Sequence, residues 1–149
     1  MNKKGFTTVE LIISFALTSV LLASLMTFIL VYRNRVNREE LRNGMVDLKN
    51  TITKTIYDDI VSDKLIKIEK CNENDKCAVF LDKDNGEHLF KVESDNQEYF
   101  VYKGLKYAIP SDVLVNNFVI ASDEELSHLK VIMHHNYLNE DYEILININ

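Results

Sequence analysis

The sequence contains little proline, glycine or cysteine: one proline, four glycines and two cysteines in 149 residues. So little glycine and proline excludes a collagen-like chain and a low-complexity linker. Two cysteines are too few for a fold built on disulfides or for a zinc site of four thiolates. The 23 aspartates and glutamates outnumber the 17 lysines and arginines, and the resulting formal net charge of −6 argues against nucleic-acid binding driven by bulk charge. With 46% hydrophobic and 27% charged residues, the composition is that of about one folded domain.

Charge is absent from one long stretch, residues 11–32, which also contains no proline and no glycine. At about 1.5 Å of rise per residue, these 22 residues span about 33 Å as a helix, enough to cross a bilayer core of about 30 Å. A secretory signal peptide fits poorly because no small-x-small cleavage site follows the run. A core helix of a small domain would have a polar face. The sequence therefore predicts one membrane-spanning helix and a soluble remainder.

Basic residues flank this apolar stretch on both sides, Lys3 and Lys4 before it and three arginines after it, so the positive-inside rule does not decide the orientation. All four arginines of the chain follow the stretch: Arg33, Arg35, Arg38 and Arg42. The remainder, residues 43–149, is acidic, with 11 lysines and 20 aspartates and glutamates. Such a basic segment suits lipid headgroups or the acids of a neighbouring molecule, and a solvated surface is the plain alternative.

Glu10 places one charge at the edge of the apolar stretch. A carboxylate deep in a bilayer costs about 2.5–3.5 kcal/mol even on lenient scales, so an intramembrane glutamate indicates a functional role; an interfacial position is the alternative. Residues 1–9 read MNKKGFTTV, so a short basic leader, Gly5, the aromatic Phe6 and then Glu10 precede an unbroken apolar helix. This pattern resembles the N-terminus of the type IV pilin-like family and covers about a fifth of the chain.

The resemblance implies a processing site and an assembly residue. A prepilin peptidase on the cytoplasmic face would cleave between Gly5 and Phe6 and methylate the new amine of Phe6, which puts the C-terminal part outside the cell. Because residues four apart share a helix face, Glu10 can approach that amine in its own chain, or it can meet the amine of a neighbouring subunit. Paired charges offset part of each other's burial cost. In the family this glutamate is linked to docking of an incoming subunit.

The sequence also departs from the family pattern. Thr8 occupies a position where the family usually has a large aliphatic residue, and the span lacks the proline common in major pilins, since the only proline is Pro110. The second departure favours a minor pilin or a pseudopilin. Residues 114–120, LVNNFVI, loosely resemble minor subunits of secretion and competence pseudopili.

The resemblance implies a protein stored in the cell membrane with its N-terminus in the cytoplasm and membrane lipid around its span. An assembly ATPase and a platform protein would then move it into an extracellular filament with other pilin subunits. DNA uptake, secretion, adhesion and motility all remain open as purposes of the filament. The alternative is a single-pass membrane anchor for an extracellular binding or sensor domain. We expect neither enzymatic activity nor a cofactor, because the sequence contains no phosphate-binding glycine loop, zinc spacing or nucleophile elbow.

Apolar residues continue beyond the span at helical spacing, which predicts an amphipathic continuation of the same helix to Asp59. These residues are Leu41, Met45, Leu48, Ile52, Ile56 and Ile60. Gly44 costs about 1 kcal/mol relative to alanine in a helix, and two helices with a bend near Gly44 are the alternative. The predicted organisation has four parts: a prepilin leader at 1–5, a transmembrane segment at 6–32, an amphipathic helix at 33–63 and an extracellular antiparallel β domain at 64–149.

The period of the apolar residues changes to two after Asp63, which predicts short strands. The alternating groups are Ile66 with Ile68, Phe90 with Val92, Phe118 with Ile120, Leu129 with Val131 and Met133, and Ile144 with Ile146 and Ile148. Polar turn segments separate these groups, at residues 72–76, 84–86, 95–97 and 123–125. Consecutive strands with tight turns predict an antiparallel meander with one face against the helix. The predicted fold class is α+β, a long N-terminal helix packed on a small antiparallel β-sheet, as in type IV pilins.

Two cysteines and one turn are further candidate sites. Cys71 and Cys77 can close a small loop by a disulfide in an exported domain, worth about 2 kcal/mol by chain entropy; two free thiols are the alternative. Residues 82–86, DKDNG, approach a calcium-loop pattern, but the glycine comes one position early and flanking helices are missing. Asn-Gly between alternating runs instead predicts a hairpin turn.

The histidines and tyrosines favour structural interpretations. His134 and His135 are neighbours on a predicted strand and point to opposite faces, so they cannot readily share a metal ion. His88 and His128 have no partner cluster in the sequence. The tyrosines at 99, 102, 107, 137 and 142 could stack on bases if the filament handles DNA. Packing of their rings on the sheet is the favoured interpretation.

Overall fold

The structure is a computed structural model that describes residues 7–62, 65–71, 76–84, 86–122 and 126–148. Within these residues the elements in chain order are α1 (Thr8–Ser62), β1 (Leu65–Lys70), β2 (Cys77–Asp82), β3 (Glu87–Ser94), β4 (Glu98–Tyr102), β5 (Leu105–Ala108), β6 (Val113–Ser122), β7 (Ser127–His135) and β8 (Glu140–Ile148). Gly5 and Phe6, the predicted cleavage site, lie outside the described residues, as do the predicted turn residues 72–75, Asn85 and 123–125. Contacts divide the chain into two compact units, Met1–Leu41 and Arg42–Asn149.

Helix α1 runs through Gly44 without interruption and ends at Ser62, three residues beyond the predicted end at Asp59 and within the predicted amphipathic segment 33–63. Five of the predicted apolar positions pack into the core of the second unit: Met45, Ile52 and Ile56 are buried, and Leu48 and Ile60 are partly buried. Their spacing of three and four residues puts them on one helix face. The predicted amphipathic stripe is therefore confirmed, except that Leu41 is 37% exposed.

The strands form two antiparallel sheets, and in each of them the strands follow chain order. Sheet A has the order β1-β2-β3-β4-β5, and sheet B has the order β6-β7-β8. The predicted α+β fold class is confirmed, but the structure has two sheets where the sequence predicts one. The chain changes sheets at Pro110, which has no N–H to donate to a strand ladder. Next to it, the Ile109 N–H donates to Glu98 O at 2.9 Å and the Val113 N–H donates to Pro110 O at 3.0 Å.

A single core cluster in the second unit combines α1 with the inner faces of both sheets. Sheet A contributes aromatic rings, and the Phe90 and Phe100 rings stack with centroids 5.5 Å apart. Sheet B contributes aliphatic side chains that are completely buried: Leu129, Val131, Met133, Ile144 and Ile146. A slip of one residue would expose such a row to water, so burial fixes the register of the strands.

Irregularities in two strand ladders explain where the alternation differs from prediction. Phe90 with Val92 and the apolar rows of β7 and β8 are buried as predicted. Ile66 and Ile68 do not share a face, because the register shifts between Leu65 and Lys67 and leaves Ile66 50% exposed. A second shift lies between Val115 and Asn117, and the following residues Phe118 and Ile120 are only partly buried. One extra residue in a ladder turns the next side chain to the other face.

Candidate membrane-spanning segment and assembly site

The apolar stretch forms the part of α1 in the first unit, and its large side chains are exposed on every side of the helix. The sixteen large apolar side chains between Val9 and Tyr32 are each 53–76% exposed. A helix that is apolar all round has no polar face to turn toward water. By length and composition, α1 can cross a membrane, and the structure therefore contains a candidate membrane span near the N-terminus.

Four hydroxyl groups of this segment are satisfied by the helix itself. Each of these four donates to a backbone carbonyl three or four residues earlier, at 2.8–2.9 Å: Thr18 to Ser14, Ser19 to Phe15, Ser24 to Leu21 and Thr27 to Ala23. In lipid, no water is present to pair with a free hydroxyl, so an internal acceptor removes most of the cost of these side chains. These four hydroxyl groups are therefore compatible with a bilayer.

Glu10 takes part in a reciprocal cap at the start of α1. The Thr7 backbone N–H and hydroxyl both donate to Glu10 Oε2, at 2.9 and 2.8 Å. In return, the Glu10 N–H donates to Thr7 Oγ1 at 3.3 Å, and the Leu11 N–H donates to Thr7 O at 3.1 Å. This capping box satisfies backbone donors that have no partner inside the helix. Its signal, a threonine three residues before a glutamate, is present in the sequence and was missed there.

The cap gives Glu10 a structural role beside the assembly role that the family resemblance implies. A capping box accepts glutamine as well as glutamate at this position, so the cap does not require a negative charge. The pairing of Glu10 with the Phe6 amine stays a prediction, because Phe6 is not among the described residues. The two roles of Glu10 can therefore be separated by substitutions that remove either the charge or the cap.

Arg42 connects α1 to sheet B at the first residue of the second unit. Its Nε donates to Glu140 Oε2 at 3.1 Å, and its Nη2 donates to Glu140 Oε1. The Tyr142 hydroxyl donates to Glu140 Oε2 at 3.0 Å. Burial raises the pKa of Tyr142, and its hydrogen bond to the Glu140 carboxylate raises it further. A carboxylate with three donors holds this point of the helix against β8.

The other three arginines differ from Arg42 in their surroundings. Arg33, Arg35 and Arg38 are exposed. None of the three forms an ion pair with a residue that the structure describes. They lie directly after the apolar segment, and no described acid engages their guanidinium groups.

Cys71 and Cys77 form a disulfide, with their Cα atoms 5.5 Å apart. Cys71 directly follows β1, and Cys77 is the first residue of β2. The Cys71 N–H donates to Cys77 O at 3.5 Å. The disulfide therefore closes the connection of the first hairpin of sheet A.

The turn between β2 and β3 uses the Asp82 carboxylate as an acceptor for the backbone. Asp82 Oδ1 accepts the N–H of Gly86 at 2.7 Å and the N–H of Asp84 at 2.8 Å. The Gly86 N–H is the main cause that holds the pKa of Asp82 below its usual value, and His88, 3.5 Å away, adds to it. A Cβ on Gly86 would lie 2.3 Å from Asp82 Oδ2, so any other residue there would force the Asp82 carboxylate to shift. The segment forms the predicted hairpin between β2 and β3.

The neighbouring histidines lie on opposite faces of β7, as predicted. His134 Nδ1 lies 2.7 Å from Asp141 Oδ1, whereas His135 is 1% exposed. Among the residues that the structure describes, no three His, Cys, Asp or Glu side chains are arranged to hold a metal ion.

The tyrosines mostly pack against the fold. Tyr102 and Tyr142 are buried, and the Tyr107 hydroxyl donates to Thr55 Oγ1 at 3.3 Å. Tyr137 differs because it is 58% exposed. Packing on the sheet is therefore confirmed for Tyr102, Tyr107 and Tyr142.

Comparisons with protein-family models, with curated proteins and with solved structures found no match to this chain. The structure has a long apolar N-terminal helix that continues into an antiparallel β domain. This architecture fits a pilin-like or membrane-anchored protein. The choice between these two functions depends on the residues at the start of the helix.

Proposed function

We propose that this chain is a minor pilin or pseudopilin subunit, stored in the cell membrane and then incorporated through its apolar helix into an extracellular type IV pilus-like filament. The observation that carries the proposal is the exposure of apolar side chains on all sides of α1 from Val9 to Tyr32, in a helix that continues into a folded β domain. The motif of Gly5, Phe6 and Glu10 directly before this surface supports the same function.

The energetics of the apolar surface explain why it needs two successive environments. Burying one large apolar side chain contributes about 1.5–3 kcal/mol, so the sixteen side chains together represent on the order of tens of kcal/mol. In water these side chains stay exposed and this free energy is not gained, whereas lipid tails and the helices of other subunits can bury them. The same surface therefore serves membrane storage first and filament packing afterwards, and the chain itself performs no catalysis.

The proposed sequence of events involves several partners. A prepilin peptidase removes residues 1–5 and methylates Phe6 at the cytoplasmic face. An ATPase and a platform protein of the membrane then supply the work of extraction, and other pilin subunits supply the helices that replace lipid. The β domain lies outside the cell throughout and is displayed on the filament. Contact of the filament with DNA is not required by this function.

The mass of the mature N-terminus tests the proposal. We expect protein from cells that contain the peptidase to begin at N-methylated Phe6, and a Gly5→Val variant to keep its leader. Protein from the same cells that still begins at Met1 or Asn2 would refute the proposal. That result would favour the alternative, a membrane-anchored extracellular binding or sensor domain.

The role of Glu10 is tested by separating its charge from its cap. Glu10→Gln removes the charge and keeps the capping box, whereas Thr7→Ala keeps the charge and removes the hydroxyl of the cap. If the charge pairs with the Phe6 amine during assembly, purified filaments should contain about tenfold less of the Glu10→Gln subunit than of the wild type. A tenfold change corresponds to a pair worth about 1.4 kcal/mol. Membrane insertion and cleavage should not change.

Thr7→Ala is the matched control, and we expect filaments to contain it at close to the normal amount. Equal losses for Thr7→Ala and Glu10→Gln would assign the effect to the helix cap. Normal incorporation of Glu10→Gln would show that assembly does not need the negative charge of Glu10.

A further inference from the structure

The arginine collar, Arg33, Arg35 and Arg38, lies where a membrane-spanning α1 leaves the hydrocarbon. At about 1.5 Å per residue, these arginines lie about 1.5, 4.5 and 9 Å beyond Tyr32 along the helix axis. The headgroup layer of one leaflet is about 5–8 Å thick. Arginine side chains are long enough to reach back toward this layer while their stems cover apolar surface. All three guanidinium groups therefore come within reach of lipid phosphates.

The three arginines are distributed around the helix instead of along one face. Successive residues of an α-helix are rotated by about 100°, so Arg33 and Arg35 lie on nearly opposite sides, while Arg38 lies about 60° from Arg35. One protein partner approaching from one side cannot contact both Arg33 and Arg35. A lipid leaflet surrounds the helix and can contact all three.

The chemistry of the collar fits phosphate. A planar guanidinium group binds phosphate oxygens through two parallel hydrogen bonds and is more weakly hydrated than an ammonium group. All three collar residues are arginine, and the helix contains no lysine before Lys49. No described acid of this chain pairs with them, in contrast to Arg42, which the Glu140 carboxylate already engages.

We propose that the arginine collar binds the phosphate groups of anionic phospholipids in the leaflet at the C-terminal end of the span. These lipids would fix the depth of the helix during storage, and extraction into a filament must give up the contacts. The inference rests on the membrane insertion in the proposed function and not on filament assembly.

Spin-labelled lipids test the collar on the full chain in phosphatidylcholine vesicles. The measurement is the preference of motionally restricted lipid for phosphatidylglycerol over phosphatidylcholine in the wild type, in Arg33→Gln/Arg35→Gln/Arg38→Gln and in a control. The control, Lys49→Gln/Lys54→Gln/Lys83→Gln, removes the same charge from the second unit. Lys3 and Lys4 are present in all three proteins, so the difference between them reports the collar.

We expect the wild type to prefer the anionic lipid. In the collar variant the preference should be at least threefold smaller. One basic residue at a membrane surface contributes at most about fivefold, so a threefold change is a conservative expectation for three arginines. The lysine control should keep the preference of the wild type, and 0.5 M salt should weaken the preference by screening. An equal preference in the wild type and the collar variant would overturn the proposal, and so would an equal loss in the lysine control.

Two further outcomes would identify a different ligand and would also overturn the proposal. Competition by 10 mM inorganic phosphate would indicate a general phosphate site. A preference that disappears when the protein is diluted in the bilayer would indicate that the arginines meet acids of a second copy. Failure of the filament proposal is recognised separately, because this assay contains no assembly machinery.

Discussion

Replacing Glu140 by alanine is expected to destabilise the second unit by about 2 kcal/mol, because Glu140 joins α1 to β8. The Arg42 and Glu140 side chains are 39% and 34% exposed, so solvent screens the ion pair and limits its contribution to about 1 kcal/mol. Tyr142 is only 8% exposed, and its hydroxyl loses an acceptor in this variant. A buried hydroxyl without an acceptor costs about 1 kcal/mol.

A double-mutant cycle measures the ion pair separately from the orphaned hydroxyl. Arg42→Ala, Glu140→Ala and the double variant of the full chain are unfolded with urea in detergent micelles, and the near-ultraviolet circular dichroism of the tyrosines is followed. The coupling energy between Arg42 and Glu140 should be about 1 kcal/mol. The control pair is Lys67 and Glu69 on the outer face of sheet A. Lys67 Nζ lies 2.8 Å from Glu69 Oε1, and the two side chains are 49% and 48% exposed.

We expect a coupling near zero for the control pair, since exposed ion pairs contribute little. The reasoning is refuted if the Arg42–Glu140 coupling is as small as that of the control pair. It is also refuted if Glu140→Ala costs no more than Arg42→Ala, because the Tyr142 hydroxyl would then not depend on Glu140.

Three further perturbations follow from the same structure. Since burial and Glu140 raise the pKa of Tyr142 above 10.0, the folded state holds this proton more tightly than the unfolded state, and stability should fall as the pH rises above about 10. Tyr142→Phe should weaken that fall in alkaline urea titrations. Reduction of the Cys71–Cys77 disulfide should lower the free energy of unfolding by about 2 kcal/mol, and alkylation before and after reduction, read by mass, counts the thiols; modification of both without reductant would contradict the disulfide. Gly44→Ala should stabilise the helix by up to about 1 kcal/mol, since its Cβ would meet no atom within 4 Å other than those of the adjoining helix backbone; a loss of stability would show a packing role for the glycine.

The helix and most strands could be predicted because their burial follows one period. Ile52 and Ile56 on α1, and the alternating rows of β7 and β8, face the core as their spacing predicts. Strand β2 could not be found this way, because Cys77, Ala78 and Phe80 are all buried and its sequence does not alternate. Ladder irregularities such as the one beside Ile66 also leave no periodic signal in a sequence.

The candidate site divides in the same way between local and distant features. The apolar stretch and the cysteine pair are local in the chain, and the sequence predicts both. The capping box of Thr7 and Glu10 is local too, and a threonine three residues before a glutamate is its signal in the sequence. Arg42 and Glu140 are 98 residues apart, and no pattern in the sequence brings them together.

Under the proposed topology, in which the β domain is translocated from its N-terminal end, the strict chain order within each sheet has a consequence for how the domain forms. Sheet A needs no residue beyond Ala108 to complete its ladder, and each hairpin closes on the strand made just before it. Pairings between neighbours in the chain cost little loop entropy and form quickly. The five-stranded sheet can therefore assemble strand by strand as it emerges, while β6–β8 are still on the other side of the membrane.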